Sequence, residues 1–126
     1  MIKGLGIDMV EIERIERILK KNPRGFLKRI LTEQEREYCL KFRNPAPEVA
    51  ARFAAKEAFT KAIGTGITRG VSWKHIEVVK ERGAPPRIRV QGKAREIANS
   101  LEVNNIHLSL THTARYAAAV VTIEKS

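Results

Sequence analysis

One stretch of the chain places a carboxylate among basic side chains. Residues 52–66 read RFAAKEAFTKAIGTG, in which Glu57 and Lys61 are four residues apart and therefore share a helix face. They can form a surface ion pair, or they can line a site for a metal ion and a phosphate. Arg52 and Lys56 form a second pair of like sign, which an anionic ligand would stabilise. The alternative is a run of solvated basic residues, and Lys56 itself is predicted to be solvated.

The same helix is predicted to stop at Gly64-Thr65-Gly66. Glycine tolerates the left-handed backbone that ends many helices, so a helix stop is one interpretation. Glycine also lets backbone N–H groups approach a phosphate closely, which is the other. The segment is not a P-loop, because Lys61 precedes the glycines instead of following them.

Two further side chains are candidates for the same chemistry. Asp8 follows the apolar stretch Ile2–Ile7 and precedes a helical pattern, so it is either an N-cap or a metal ligand. Asp8 and Glu57 together would suit Mg²⁺, which takes one or two carboxylates, waters and phosphate oxygens. His112 lies at the start of a predicted hairpin turn, where it is either simply exposed or able to reach a ligand.

The composition narrows the class of protein. The 126 residues carry 24 Lys and Arg against 14 Asp and Glu, a formal net charge of +10, which attracts polyanions. Aromatic residues make up only 6% and are scattered, which weakens a single-strand nucleic-acid platform. Cys39 is the one cysteine and is predicted to be a packing residue in a reducing, cytoplasmic protein. We expect no signal peptide and no membrane span.

The order of predicted elements indicates one α+β domain, residues 1–126, with a mainly antiparallel sheet packed with helices. Alanines recur every fourth residue along the longest helix and allow another element to approach it closely. The predicted strands are Ile2–Ile7, Trp73–Glu81, Arg87–Val90, Ile106–Thr111 and Tyr116–Ile123, and the predicted helices span about Val10–Lys21, Phe26–Leu31, Glu33–Phe42, Glu48–Ile63 and Gly92–Leu101.

Four motifs, in this order, carry a resemblance to a known family. They are GIDMVEIERI at residues 6–15, RFAAKEAFTKAIGTG at 52–66, WKHIEV at 73–78 and HLSLTHTARYAAAVV at 107–121. Together they cover nearly the whole chain and resemble the holo-acyl-carrier-protein synthases, small 4′-phosphopantetheinyl transferases of bacterial fatty-acid synthesis. The resemblance implies the transferase fold, and transfer of phosphopantetheine from coenzyme A to a serine of an acyl carrier protein. It also implies a requirement for Mg²⁺ and a homotrimer.

The resemblance assigns roles by position in the motifs. It implies Asp8 and Glu57 as metal ligands, Lys61 beside the diphosphate and His112 near the phosphates, with the last three as catalytic residues. The serine proton would leave through Glu57 or a water. The remaining implied positions are Arg52, Gly64, Gly66 and Pro86 in the coenzyme A pocket, and Arg14, Lys21 and Arg24 at the acidic carrier protein.

Two other functions remain compatible with the residues alone. The net charge of +10 fits a basic nucleic-acid-binding module, whose binding would weaken steeply with salt. A purely structural oligomer would bind neither coenzyme A nor polyanions. On the transferase hypothesis we expect no nucleic-acid or membrane partner.

Overall fold

The structure, a computed structural model, describes residues 1–126. Its strands pair only antiparallel, and its helices and sheets confirm the predicted α+β class. The elements are β1 (Ile2–Glu11), α1 (Ile12–Lys21), α2 (Pro23–Ile30), α3 (Glu33–Cys39), α4 (Ala46–Ile63), a 3₁₀ turn (Trp73–His75), β2 (Ile76–Val79), β3 (Arg87–Val90), α5 (Gly92–Ser100), β4 (Asn105–His112) and β5 (Tyr116–Glu124).

Two sheets frame the long helix α4. The larger sheet has the strand order β1-β5-β4, and β2 and β3 form a separate hairpin. Helix α4 packs on the larger sheet, and most of its residues are buried. None of the helices combines the length and the apolar content that a membrane span requires.

Small residues let β1 lie almost against the backbone of α4. A Cβ atom placed on Gly6 would come within 1.8 Å of the Ala58 carbonyl oxygen, and one on Gly4 within 2.1 Å of the Ala62 oxygen. Any side chain at either glycine would force the strand off the helix. The close approach predicted from the alanine repeat is thus confirmed, and it fixes the spacing between β1 and α4.

Strand β1 is longer than the sequence suggested, which corrects one interpretation of Asp8. The prediction ended the strand at Ile7, but pairing with β5 continues to Glu11 opposite Tyr116. The alternation continues as well, because Val10 is buried and opposite Ala117. Asp8 is therefore inside a strand, and it is not an N-cap.

Other boundaries moved for local reasons. Helix α4 begins at Ala46, ahead of the predicted Glu48, because Pro47 falls in its first turn, where a missing N–H costs nothing. Helix α3 ends at Cys39, three residues before the predicted end at Phe42. The predicted strand from Trp73 begins only at Ile76, after the 3₁₀ turn.

Thr32 and Glu35, three residues apart at the start of α3, have the sequence pattern of a capping box, and the pattern predicts the start of this helix. Thr32 accepts from the Glu35 N–H at 3.3 Å and donates its own N–H to Glu35 Oε1 at 2.9 Å, which confirms the capping box. The Thr32 hydroxyl also donates to Glu77 Oε2 at 2.5 Å, and Arg89 donates to the same carboxylate. Burial raises the pKa of Glu77, but these bonds lower it further, to below its ordinary 4.5.

Lys56 is the clearest departure from expectation, because the predicted solvated residue is completely buried. Its ammonium donates to Glu35 Oε1 at 2.6 Å, to the Ile30 carbonyl at 2.6 Å and to the Trp73 carbonyl at 3.1 Å. These three acceptors compensate for its removal from water. Its like-signed helix neighbour Arg52 is buried too, so the run of solvated basic residues does not exist.

The far face of the larger sheet is apolar and uncovered. On β1, the side chains of Leu5, Ile7 and Met9 alternate with the inward-facing residues and are 63–64% exposed. Val120 of β5 lies opposite Ile7 and adds to this surface. We call Leu5, Ile7, Met9 and Val120 the outer apolar face.

Candidate active site

Strand β1 and helix α4 bring the predicted acids together. Lys61 Nζ lies 3.1 Å from Asp8 Oδ1 and donates to the Ile7 carbonyl at 3.0 Å. The surface ion pair considered for Glu57 and Lys61 does not form, because Lys61 turns to β1 instead. The Asp8 side chain is only 17% exposed, whereas that of Lys61 is 52% exposed.

Glu57 lies close enough to Asp8 for the two carboxylates to repel each other. Burial raises the pKa of Glu57, and the neighbouring Asp8 carboxylate raises it further. Lys61 and Arg14 oppose this shift without cancelling it. A further cation between Asp8 and Glu57 would therefore be favourable.

The donor set fits Mg²⁺. Asp8 and Glu57 supply two carboxylates, and no group of three or more His, Cys, Asp or Glu side chains is arranged to hold a metal. Zinc sites use three or four protein ligands, whereas Mg²⁺ is commonly held by one or two carboxylates together with water and phosphate oxygens. The chemistry of this pair suits an ion that shares its coordination with a phosphorylated substrate.

The end of α4 is a helix stop. Gly64 has φ +83°, and the N–H groups of Thr65 and Gly66 both donate to the Thr60 carbonyl. These donors are used within the turn, so this end of α4 does not offer them to a phosphate. A Cβ on Gly64 or Gly66 would meet nothing within 4 Å, so both glycines border open space beside Lys61.

Arg52 and His112 belong to a second cluster at the other end of α4. Arg52 Nη1 donates to the carbonyl oxygen and to Oε2 of Glu48, both at 3.3 Å, and its guanidinium lies 4.4 Å from the centre of the Tyr38 ring. His112 Nε2 lies 3.9 Å from Glu48 Oε1. Arg52 Nε is buried without a partner.

Within one chain the two clusters are apart. Glu48 precedes Glu57 by nine residues, which is roughly 13 Å along a helix. The structure therefore groups Asp8, Glu57 and Lys61, and it groups Arg52 with His112, without joining the groups. Pro86 lies on a third element, just before β3, and is half-buried.

Sequence reasoning missed Glu48 and Tyr38. Glu48 had a local signal, because it precedes Arg52 by four residues and shares its helix face. Tyr38 had none, since its contact with Arg52 depends on how α3 packs against α4.

An aromatic surface lies next to the acid site. Phe53 stacks on Trp73 with ring centres 4.9 Å apart and on Phe26 at 6.3 Å, and all three rings are partly exposed. We call these three residues the aromatic platform. The Arg14 guanidinium lies 6.0 Å from the Phe53 ring centre, so Arg14 contacts the platform and also acts on Glu57. Lys21 is the last residue of α1 and Arg24 lies in the first turn of α2, and both side chains are exposed.

Known proteins resemble this chain over nearly its whole length. The model of the 4′-phosphopantetheinyl transferase superfamily matches residues 4–121. The holo-[acyl-carrier-protein] synthase of Geotalea daltonii is 43% identical over 99% of this chain and 100% of its own, and that of Moorella thermoacetica is 47% identical over 96% and 93%.

Solved structures give the same result. The holo-[acyl-carrier-protein] synthase of Neisseria meningitidis superposes with a TM-score of 0.89 at 36% identity, covering 99% of this chain and 100% of that one. The enzyme from Bacillus anthracis, solved in complex with CoA (3′,5′-ADP), has a TM-score of 0.83 at 40% identity and covers 100% and 99%.

Proposed function

Because the chain belongs to the 4′-phosphopantetheinyl transferase superfamily, we propose that it moves 4′-phosphopantetheine from coenzyme A to a serine hydroxyl of an apo acyl carrier protein. Adenosine 3′,5′-bisphosphate is the other product. The observation that carries the proposal is the pairing of Asp8 and Glu57 beside the half-exposed Lys61. Attack on a diphosphate depends on positioning and charge neutralisation more than on a protein nucleophile, and this site offers both.

Each side chain of the acid site has a task in the proposed reaction. Asp8 and Glu57 would hold Mg²⁺, which supplies Lewis-acid neutralisation of the diphosphate. The exposed ammonium of Lys61 neutralises charge on the leaving phosphate. Glu57 or a water beside it would accept the serine proton.

The separation of the two clusters supports a site shared between subunits. We propose a homotrimer in which Arg52 and His112 of one subunit bind the phosphates of a coenzyme A that reaches Asp8 and Glu57 of the next. The outer apolar face supports association, because monomers rarely leave such a continuous patch uncovered. Gly64, Gly66 and Pro86 would border the same coenzyme A.

Mixing two inactive variants tests the shared site. Glu57→Gln and His112→Ala trimers, each inactive alone, should regain activity after mixed reassembly, since some interfaces then combine two intact halves. The matched control is Glu57→Gln mixed with Lys61→Ala, which damage the same half and should regain nothing. Equal recovery in both mixtures, or a monomeric mass by light scattering, would contradict the shared site.

The carrier protein would dock on the basic side of the molecule. Arg14, Lys21 and Arg24 present exposed positive charge beside the aromatic platform, which offers apolar contact area. An acidic carrier would be attracted by the net charge of +10, which raises the encounter rate. We propose the cytoplasm as the location, which suits the reduced thiol of Cys39.

One mass measurement tests reaction, donor and partner together. The protein is incubated with coenzyme A, Mg²⁺ and an apo carrier protein, and the carrier is weighed. The expected result is the mass of one added phosphopantetheine, lost when a chelator is present and lost in Glu57→Gln with its circular dichroism unchanged. An unmodified carrier would refute the proposal, and salt-sensitive RNA binding without transfer would favour a nucleic-acid module.

A further inference from the structure

Lys56 and Glu35 form a completely buried ion pair that the proposed reaction does not use. Both side chains have 0% exposure, and their charged atoms are 2.6 Å apart. Such pairs are often no more stabilising than apolar side chains of similar volume, because removing two charges from water is costly. Stability alone therefore does not account for this pair.

The pair joins one helix to four other elements. Lys56 of α4 donates to Ile30, the last residue of α2, and to Trp73 in the 3₁₀ turn. Glu35 of α3 accepts from Lys56 through Oε1 and from the Val78 N–H of β2 through Oε2 at 2.9 Å. A single ammonium thus sets where α2, α3 and the 3₁₀ turn lie on α4.

Those elements carry the aromatic platform. Phe26 is on α2, Trp73 is bonded to the Lys56 ammonium through its own carbonyl, and Phe53 lies three residues before Lys56 on α4. Residues three apart on a helix share a face, so Phe53 and Lys56 face the same elements. Glu57 is the next residue along α4. Any shift of the Lys56 ammonium would move two members of the platform relative to the catalytic carboxylate.

We propose that Lys56 and Glu35 are positioning residues, which fix the distance from the aromatic platform, where the carrier protein docks, to Glu57, where its serine reacts. This inference rests on the proposed transferase function. It predicts that the pair matters more for the use of the carrier than for the binding of coenzyme A, because Asp8, Lys61, Arg52 and His112 bond to neither residue. The pair reaches Arg52 only indirectly, through the Tyr38 ring of α3.

The test replaces both members of the pair at once. Lys56→Met alone would leave the Glu35 carboxylate buried and unpaired, and the chain is expected to unfold. In Lys56→Met/Glu35→Gln the amide oxygen can keep the bond from the Val78 N–H while the amide NH2 donates to the freed carbonyls, at the cost of the bond from the Thr32 N–H. Circular dichroism checks that the fold is retained. We expect kcat/KM for the carrier to fall about 100-fold, as for a misplacement of about 1 Å, with KM for coenzyme A within about twofold of wild type. The emission of Trp73, the one tryptophan, should shift as its surroundings change.

A matched control uses the same substitutions on an exposed pair. Lys125→Met/Glu102→Gln removes an ion pair of 3.0 Å on another part of the surface and should leave both kinetic constants unchanged. If the first double variant does not fold, Lys56→Gln/Glu35→Gln is used instead, because it can keep an amide hydrogen bond in place of the ion pair. Its kcat/KM for the carrier should again fall, with KM for coenzyme A nearly unchanged.

Two results would overturn the positioning role. One is a folded double variant with wild-type kcat/KM for the carrier, and the other is an equal loss for carrier and coenzyme A. Failure of the wild-type protein to modify any carrier is a different result, because it refutes the transferase proposal before the variants are compared.

Discussion

The contact between β1 and α4 predicts that Gly6→Ala damages fold and site together. The new Cβ would lie 1.8 Å from the Ala58 carbonyl oxygen, and an ordinary contact begins at 3.4 Å, so the strand must move by about 1.6 Å. Because the obstacle is backbone, no side chain can rotate away. Overpacking typically costs 1–3 kcal/mol, and we expect the upper end here, about 3 kcal/mol.

The same displacement would separate the two acids. Asp8 follows Gly6 by two residues on the same face of β1, so it should move away from Glu57 with the strand. Urea unfolding followed by circular dichroism, at fixed protein concentration, should show a midpoint lowered by about 2 M, given a slope of about 1.5 kcal/mol per molar. Calorimetric titration should show weakened Mg²⁺ binding in the fraction that remains folded.

Gly83→Ala is the matched control. Gly83, unlike Gly6, has a positive φ, +78°, and a Cβ there would meet nothing within 4 Å. Its cost should be only the left-handed backbone strain, about 1 kcal/mol. If Gly6→Ala were no more destabilising than Gly83→Ala, the inferred close approach of β1 to α4 would be wrong.

Three shorter predictions concern other parts of the chain. Arg14→Glu should raise KM for the carrier about tenfold and change KM for coenzyme A much less. Arg95→Glu makes the same change in net charge and should alter neither constant. An equal rise in both KM values for Arg14→Glu would argue against a carrier surface on α1. Burial raises the pKa of Glu77 but hydrogen bonds lower it further, so its carboxylate contributes stability above pH 4.5 that disappears as the pH falls through the lowered pKa. Glu77→Gln should therefore cost about 1 kcal/mol at pH 7 in urea unfolding and progressively less as the pH falls below 4.5, and a difference that stays constant with pH would contradict this. Burial raises the pKa of Cys39 to about 11, so the native thiol should resist alkylation at pH 8 and react in urea; rapid native labelling would contradict its burial.

Local signals predicted much of the fold. The capping box at Thr32 and Glu35, the four-residue alanine repeat of α4 and the alternation in β4 and β5 each depend on neighbouring residues, and each is confirmed. The motif resemblance is confirmed by the family match over residues 4–121. The roles it implies for individual residues stay predictions.

The surroundings of Lys56 and Asp8 depend on residues far away in the sequence, and they could not be predicted from local patterns. Lys56 looks like a solvated base until Glu35, 21 residues earlier, and Trp73 fold around it. Asp8 looks like an N-cap until pairing with β5, more than a hundred residues away, extends β1 to Glu11. No periodicity within either segment carries this information.

The site was predicted as one group of residues and is found as two. The motifs give Asp8, Glu57, Arg52 and His112 without their spacing, and sequence order does not reveal which of them meet. The contacts in the structure show that Arg52 and His112 gather around Glu48. Glu48 lies roughly 13 Å from Glu57 along α4.

The position of β1 has a consequence for the newly made chain. β1 is an edge strand, so one row of its backbone N–H and C=O groups pairs with no neighbouring strand, and its outward side chains Leu5, Ile7 and Met9 are exposed. An unpaired apolar edge is a template for uncontrolled strand pairing. A single copy is therefore prone to aggregate, and assembly into the proposed trimer would protect the chain as well as complete its site.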